Sequence, residues 1–257
     1  MKTILITLTA LLLTVNMLFA QRASFTSNGT IEYEKSSNMH ALYKRMYAGE
    51  EGFYKTMIEQ SERTQAQFKV LKSTLTFGDN KTLYKPIVPA TPTGGLSVPM
   101  AEQYNTVFTD YSTHGIITEK LVLNESFTIK DTIRKIVWKI TNETRDIAGY
   151  PCRRANGIML DSIYVVAFYT DKITVPGGPE SFGGLPGMIL QLALPHENVS
   201  WIAKTVDVNQ VPPPTLVPAK KAKVITYKEL SNTLKTVMKS WYDDDRQRNF
   251  AMLSYIL

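Results

Sequence analysis

At 257 residues, 44% hydrophobic and 20% charged, the chain has the composition of an ordinary folded protein, which excludes a disordered or low-complexity polypeptide. Its formal net charge of +6 is scattered, with basic clusters no larger than Lys44-Arg45, Arg153-Arg154 and Lys220-Lys221; this describes a solvated surface and not a nucleic-acid footprint. The single cysteine, Cys152, excludes an intramolecular disulfide, so the core must hold itself together.

Met1-Lys2-Thr3, then an apolar stretch through Leu11-Leu12-Leu13 to Leu18-Phe19-Ala20, has the form of a secretory signal peptide. The apolar part is shorter than the ~20 residues of a spanning helix, and Thr7, Thr9, Thr14 and Asn16 interrupt it. Cleavage is expected after Ala20, leaving Gln21 first and a single mainly-β domain over 21–257 with no transmembrane span. Without Lys2 the formal charge falls to +5.

Downstream, period-two alternation with β-branched and aromatic residues dominates. Gly29–Lys35 places Ile31 and Tyr33 on one face. Phe68–Phe77, the turn Gly78–Lys81 and Thr82–Tyr84 predict a hairpin with a four-residue loop. Further strands are expected at 116–123, 125–131, 135–140, 158–160, 164–169, 188–194 and 199–208, nine or ten in all. Short turns at Asn142-Glu143, Ala155-Asn156-Gly157 and Pro195-His196-Glu197 imply antiparallel neighbours.

Two stretches depart from this pattern. Tyr43, Met46, Tyr47, Tyr54, Met57 and Ile58 follow helical spacing and predict a helix over about 39–65. Thr226-Tyr-Lys-Glu229 is a capping box opening a second helix with the stripe Leu230, Leu234, Val237, Met238 and Trp241. A proline-rich loop over 86–104 and a proline-rich tether over 209–221 are expected, the latter leaving the last helix tethered more than embedded. The predicted class is mainly β (α+β): a large curved antiparallel sheet or half-barrel with one N-terminal-half helix and one C-terminal helix packed on it.

Catalytic signals are sparse. His40, His114 and His196 lie apart with no HxH or HExxH spacing, although His40 with Met39 and Met46, or Cys152, could form a soft-metal site. Ser181 has no GxSxG context and no base beside it in sequence. Carboxylates such as Asp161, Asp171, Glu180 and Asp243–Asp245 are as frequent as in any soluble protein. Asn-x-Ser/Thr occurs at Asn28, Asn80, Asn124, Asn142 and Asn198, as chance allows in such a composition.

The segment "ESFGGLPGMILQL" (180–192) sets glycines before an apolar run, the order of a phosphate-cradling loop. No lysine follows Gly187, Pro186 removes a backbone donor, and a strand rather than a helix follows, so a tight turn is the better reading. A type II turn with Gly187 at positive φ is expected. Cys152 is expected to be buried.

"WKITNETRDIAGYPCRRA" (138–155) and "VVAFYTDKITVPGGPESFGGLPGMILQL" (165–192), behind an exported start, resemble the GLPGLI family of exported Bacteroidetes proteins; "MI" stands here for the motif's last two letters. The resemblance covers about 136–194. It implies a periplasmic or outer-membrane-associated protein of unestablished function, often encoded beside outer-membrane transporter-like proteins, and supplies no catalytic, cofactor-binding or metal residue. It also nominates Thr132 (Asp131-Thr-Ile133) and Ser162 (Asp161-Ser-Ile163), both at predicted strand edges, for O-glycosylation. The expected function is therefore a non-enzymatic binding or accessory module without a cofactor, engaging an outer-membrane transporter-like protein or an apolar ligand. A copper- or zinc-binding protein and a hydrolase are the alternatives.

Overall fold

The structure, a computed structural model, describes residues 25–48, 52–89, 98–209, 212, 214–216 and 222–257. The expected signal peptide lies outside them. Twelve strands form one sheet: β1 (Gly29–Asn38), β2 (Phe68–Gly78), β3 (Lys81–Ile87), β4 (Thr106–Asp110), β5 (Gly115–Val122), β6 (Glu125–Thr132), β7 (Val137–Ile147), β8 (Tyr150–Met159), β9 (Ile163–Thr170), β10 (Met188–Leu194), β11 (Val199–Asp207) and β12 (Lys223–Ile225). Their order is β12-β6-β5-β4-β3-β2-β1-β11-β10-β9-β8-β7. Only the three-residue β12 runs parallel to its neighbour, β6; all other pairs are antiparallel. The helices are α1 (Met39–Met46), α2 (Phe53–Thr64), α3 (Pro99–Glu102), α4 (Tyr227–Trp241) and α5 (Asp245–Ile256).

The mainly-β, antiparallel class is as the alternation predicts, and the sheet curls. Tyr111, just after β4, and Trp138, in β7, both touch Gly183. Those strands stand eight places apart in the order, a separation of about 38 Å across a flat sheet at ~4.8 Å per strand. The inward face carries Ile31, Tyr33, Leu75, Phe77, Ile116 and Trp201, all buried, under the helices and the segment joining β9 to β10.

Several boundaries differ from expectation, each for a local reason. The β2–β3 loop has two residues, not four: Gly78 pairs Lys81, and Asp79 and Asn80 take φ of 54° and 57°, the left-handed pair that suits a twisted hairpin. Leu123-Asn124 and Ala148-Gly149 do the same for β5–β6 and β7–β8. Asn142-Glu143 is not a turn; β7 runs through it with a register shift between Ile140 and Thr144. Ala155-Asn156-Gly157 lies inside β8, because Trp138 of β7 lies across Gly157, where a Cβ would come within 2.7 Å of the ring. The five-residue β4, with Val107 and Phe108 adjacent, and the three-residue β12 are too short to show an apolar alternation in sequence.

The single helix expected over 39–65 is two. Only α1 is anchored in the core, through Met39, Leu42, Tyr43 and Met46; in α2 only Ser61 is buried. The capping box forms as predicted: Thr226 and Glu229 bond reciprocally at the start of α4. Leu230, Leu234 and Met238 are buried, so α4 is embedded and not merely tethered, but Trp241 is exposed. Most of the proline-rich tether lies outside the described residues. A second C-terminal helix, α5, follows, and Asp244 is its N-cap, accepting from the Arg246 and Gln247 amides.

Candidate functional site

The segment between β9 and β10 runs across the trough of the sheet. Two short turns shape it, each centred on a proline: Gly177 N donates to Val175 O (2.8 Å) around Pro176, and Gly187 N to Leu185 O (2.8 Å) around Pro186. These i→i+2 bonds make γ-turns, not the expected type II turn. Gly187 does take positive φ, at 142°. Gly184 N donates to Pro176 O (3.1 Å) and Ile189 N to Gly177 O (2.8 Å), tying the segment into a flat plate. Among residues 177–187 only Gly184 and Pro186 are exposed.

The plate's inner side is polar at its centre. Glu180, in the left-handed region at φ 50°, is 5% exposed; Lys35 of β1, equally buried, approaches its Oε1 at 3.4 Å. Asn105 Nδ2 donates to Glu180 Oε2 (3.1 Å), and the Lys35 ammonium stands 5.0 Å over the Trp201 ring. Tyr33 Oη donates to Ile189 O at 2.5 Å, fixing the start of β10. Ser73 Oγ, Asn105 Oδ1 and Trp201 Nε1 are buried with no partner meeting hydrogen-bond geometry. The Tyr84 hydroxyl is nonetheless close enough to Ser73 and Trp201 for both to favour its ionised form; burial wins and holds it protonated well above the usual phenol range.

Lys120 of β5 is buried beside this cluster. Burial pulls its pKa down to about 7; Glu180 opposes the shift, and Arg134 and Lys35 add to it. A lysine poised near 7 can act as a base or nucleophile. Here its Nζ donates to Tyr255 O (2.6 Å) at the C-terminal end of α5, as Arg134 Nη2 does to Ile256 O (3.1 Å). Lys120 Nζ and Arg134 Nη2 thus both cap the last turn of the helix, where its dipole favours positive charge.

This makes stability depend on pH. Between about 7 and the ~10.4 of a free lysine, the unfolded chain holds the Lys120 proton that the folded chain lacks. Stability therefore rises with pH through that window, by up to about 1.4 kcal/mol per unit. Above about 8.5 the opposite sign enters: Cys152, raised to about 12 by burial, stays protonated only in the folded chain, and above about 10 the buried Tyr33 and Tyr84 do the same. Urea denaturation should show stability climbing from pH 7 to about 8.5, levelling, then falling above about 10, and Lys120→Met should abolish the climb.

The plate's outer side is the floor of an open pocket of about 480 Å³ at one end of the sheet. Gly184 and Pro176 form the floor, Asn80 and Tyr111 stand on the β2–β3 and β4–β5 side, and His114, Ile133, Arg134, Lys135 and Ile136 complete the wall. Trp138 braces it from β7, its Nε1 donating to Gly183 O (3.0 Å). Burial pushes the Tyr111 phenol up to about 12, so it is a hydroxyl donor at neutral pH.

The residues singled out in the sequence are not gathered at either side. Met39 and Met46 are core residues of α1, and Met46 Sδ receives the Tyr242 hydroxyl at 3.8 Å; His40 Nε2 is buried without a partner. His114 is in the β4–β5 turn, and the His196 carbonyl accepts from Arg45 (2.7 Å). No group of three His, Cys, Asp or Glu residues suited to a metal occurs among the described residues. Ser181 is buried in the plate. Thr132 ends β6, and Ser162 lies in the exposed turn between β8 and β9 rather than at a strand edge.

Cys152 is buried, as expected, at 1% exposure on β8. Burial, with Asp146 beside it, pushes its thiol up to about 12. A thiol reagent at pH 8 should therefore leave the native protein unlabelled and label one thiol per chain in denaturant.

The inner cluster could have been found in sequence. Lys35 continues the inward set Ile31-Tyr33, and Lys120 falls within Ile116-Thr118-Lys120-Val122, a charge at a core position in each case.

Residues 101–232 match the model of the family described as "N-glycanase peptide, N-terminal domain", 132 of the 257 residues. The chain belongs to that family. The match spans β4 to the first turns of α4 and so includes the plate, Asn105, Lys120, Glu180 and Trp201 of its inner cluster but not Tyr33, Lys35, Ser73 or Tyr84, and most of the pocket. Solved structures of PNGF-II in space groups P21 and C2 are similar at 16% identity, with TM-scores of 0.48 and 0.46. Each alignment covers 77% of this chain but 31% and 30% of theirs, so the chain spans less than a third of the PNGF-II length. No curated protein matches the chain. Among the described residues no helix is long and apolar enough to cross a membrane.

Proposed function

We propose that the protein is an exported, non-enzymatic binding module of the GLPGLI type, acting in the periplasm or at the outer membrane on an envelope protein or a small ligand, a polar one suiting the pocket better than the apolar one expected from the sequence. The observation that carries this reading is the division of labour across the plate. The buried ionisable groups chemically suited to acid–base work, Glu180 and Lys120, are engaged by Lys35, Asn105 and the end of α5. The open pocket, in contrast, mixes basic, amide and hydroxyl groups with Ile133 and Ile136 over a floor of Gly184 and Pro176. Such a concave, preformed surface suits recognition. The family's name places related domains at the N-terminus of an N-glycanase, which fits an accessory role beside an enzyme.

Two assays test the reading together. Cross-linking and affinity capture of the full chain in its native envelope should recover a stoichiometric partner or a co-purifying ligand, and the purified chain should release no glycan from an N-glycosylated peptide. Glycan release, or a chain that fractionates away from the envelope, would overturn it.

A further inference from the structure

The wall of the pocket on the plate's outer side is charged in one sense only. Of its lining residues, His114, Arg134 and Lys135 are basic and none is acidic. None of the three is in an ion pair among the described residues, and Arg134 Nη1 is withdrawn from solvent with no hydrogen-bond partner. The carboxylates near the ends of the flanking strands, Asp110 and Asp131, do not line the pocket and are turned to backbone amides. Asp110 accepts from the Ser112 and Thr113 amides (2.9 and 3.3 Å), and Asp131 from the Thr132 and Tyr227 amides (2.8 and 3.0 Å).

A wider groove of about 650 Å³ beside α5 differs in this respect: its arginines, Arg45 and Arg246, are paired with Glu197 and Asp244. Behind the pocket, Lys35 pairs with Glu180, and Lys120 feels Glu180, Arg134 and Lys35. Unpaired cations over low-dielectric walls focus a positive field into a cleft. At about 480 Å³ the space exceeds that of a bare inorganic ion, and Asn80 and the Tyr111 hydroxyl lie beside the apolar Ile136 and Pro176. That mixture fits a polyhydroxylated body carrying one anionic group.

We propose that this pocket binds a small organic anion, a sugar-sized molecule bearing a carboxylate or a phosphate monoester, with His114, Arg134 and Lys135 receiving the anionic group. The proposal rests on the reading of the chain as a binding module and names the ligand class of that same site. Arg134 serves twice, since it also holds the end of α5 and lies 5.0 Å from the Tyr227 ring, so it is a poor first target for mutation. Lys135 is exposed and serves no described contact, and His114, at φ 56°, can be replaced by asparagine, which tolerates that backbone.

The test is calorimetric titration of the full chain at pH 7 and low salt with glucuronate, glucose 6-phosphate and neutral glucose as probes. One of the two anions is expected to bind with one-to-one stoichiometry, the tighter arm deciding between carboxylate and phosphate, and glucose is expected not to bind. Lys135→Gln should weaken that binding about five-fold and His114→Asn/Lys135→Gln at least ten-fold, with melting temperatures unchanged. Raising the salt should weaken it further. Absence of binding by both anions, equal binding of glucose, or unchanged affinity in the double variant would overturn the proposal. Chemical conversion of a bound probe would instead overturn the non-enzymatic reading and leave the pocket assignment standing.

Discussion

Gly187→Ala is expected to destabilise the protein by on the order of 4 kcal/mol or more, enough to leave little folded chain at 37 °C. A Cβ at that position would stand 2.1 Å from the Thr170 carbonyl oxygen and 2.8 Å from its carbon. Both are backbone atoms at the end of β9, so no side chain can swing away to relieve the clash. The φ of 142° adds strain for any L side chain. Gly184 provides the internal comparison. It also has positive φ, at 85°, but it is exposed, and a Cβ there would meet only Trp138 Nε1 at 3.8 Å. Gly184→Ala should cost only the left-handed penalty, about 1–2 kcal/mol. Equal costs for the two substitutions in chemical denaturation would show that steric closure at Gly187 is not what holds the plate.

Lys35→Met is expected to cost about 3–5 kcal/mol, because it leaves the Glu180 carboxylate buried with Asn105 as its remaining partner. Glu180→Gln should cost a similar amount, leaving the ammonium buried over Trp201. The informative variant is the double, Lys35→Met/Glu180→Gln. A buried pair gains little net over a well-packed neutral replacement, so the double should recover most of the loss of either single change. Urea denaturation of the three variants completes the cycle. A cost below about 1 kcal/mol for either single variant would mean that water reaches the pair and that the plate is not sealed to the sheet.

The sequence made the sheet legible because one face is solvated and the other buried, so strands such as Gly29–Asn38 and Val199–Asp207 alternate cleanly. It misled where strands are short or irregular. Thr106–Asp110 alternates in burial but sets its two apolar residues, Val107 and Phe108, side by side, and Asn142-Glu143 looks like a turn because turn-favouring residues also fill bulges. The site was less legible for a different reason. Glu180, Lys35, Asn105 and Lys120 come from separate segments that meet only because the sheet curls, and the basic residues of the pocket come from two separate links, His114 from the β4–β5 turn and Arg134-Lys135 from the β6–β7 link. What was visible locally was the glycine-proline segment itself. Its role as a rigid divider depends on Tyr33, Tyr111 and Trp138, which touch it from β1, the β4–β5 turn and β7.

Amide hydrogen exchange across residues 176–190 tests that divider most directly. The Gly177, Gly184, Gly187 and Ile189 amides are all hydrogen-bonded within or against the plate, and the segment is almost wholly buried. These amides should exchange only by opening that approaches global unfolding, as slowly as those in the centre of β1. Exchange through low-energy local opening, orders of magnitude faster than β1, would contradict a fixed plate and make the segment a mobile loop.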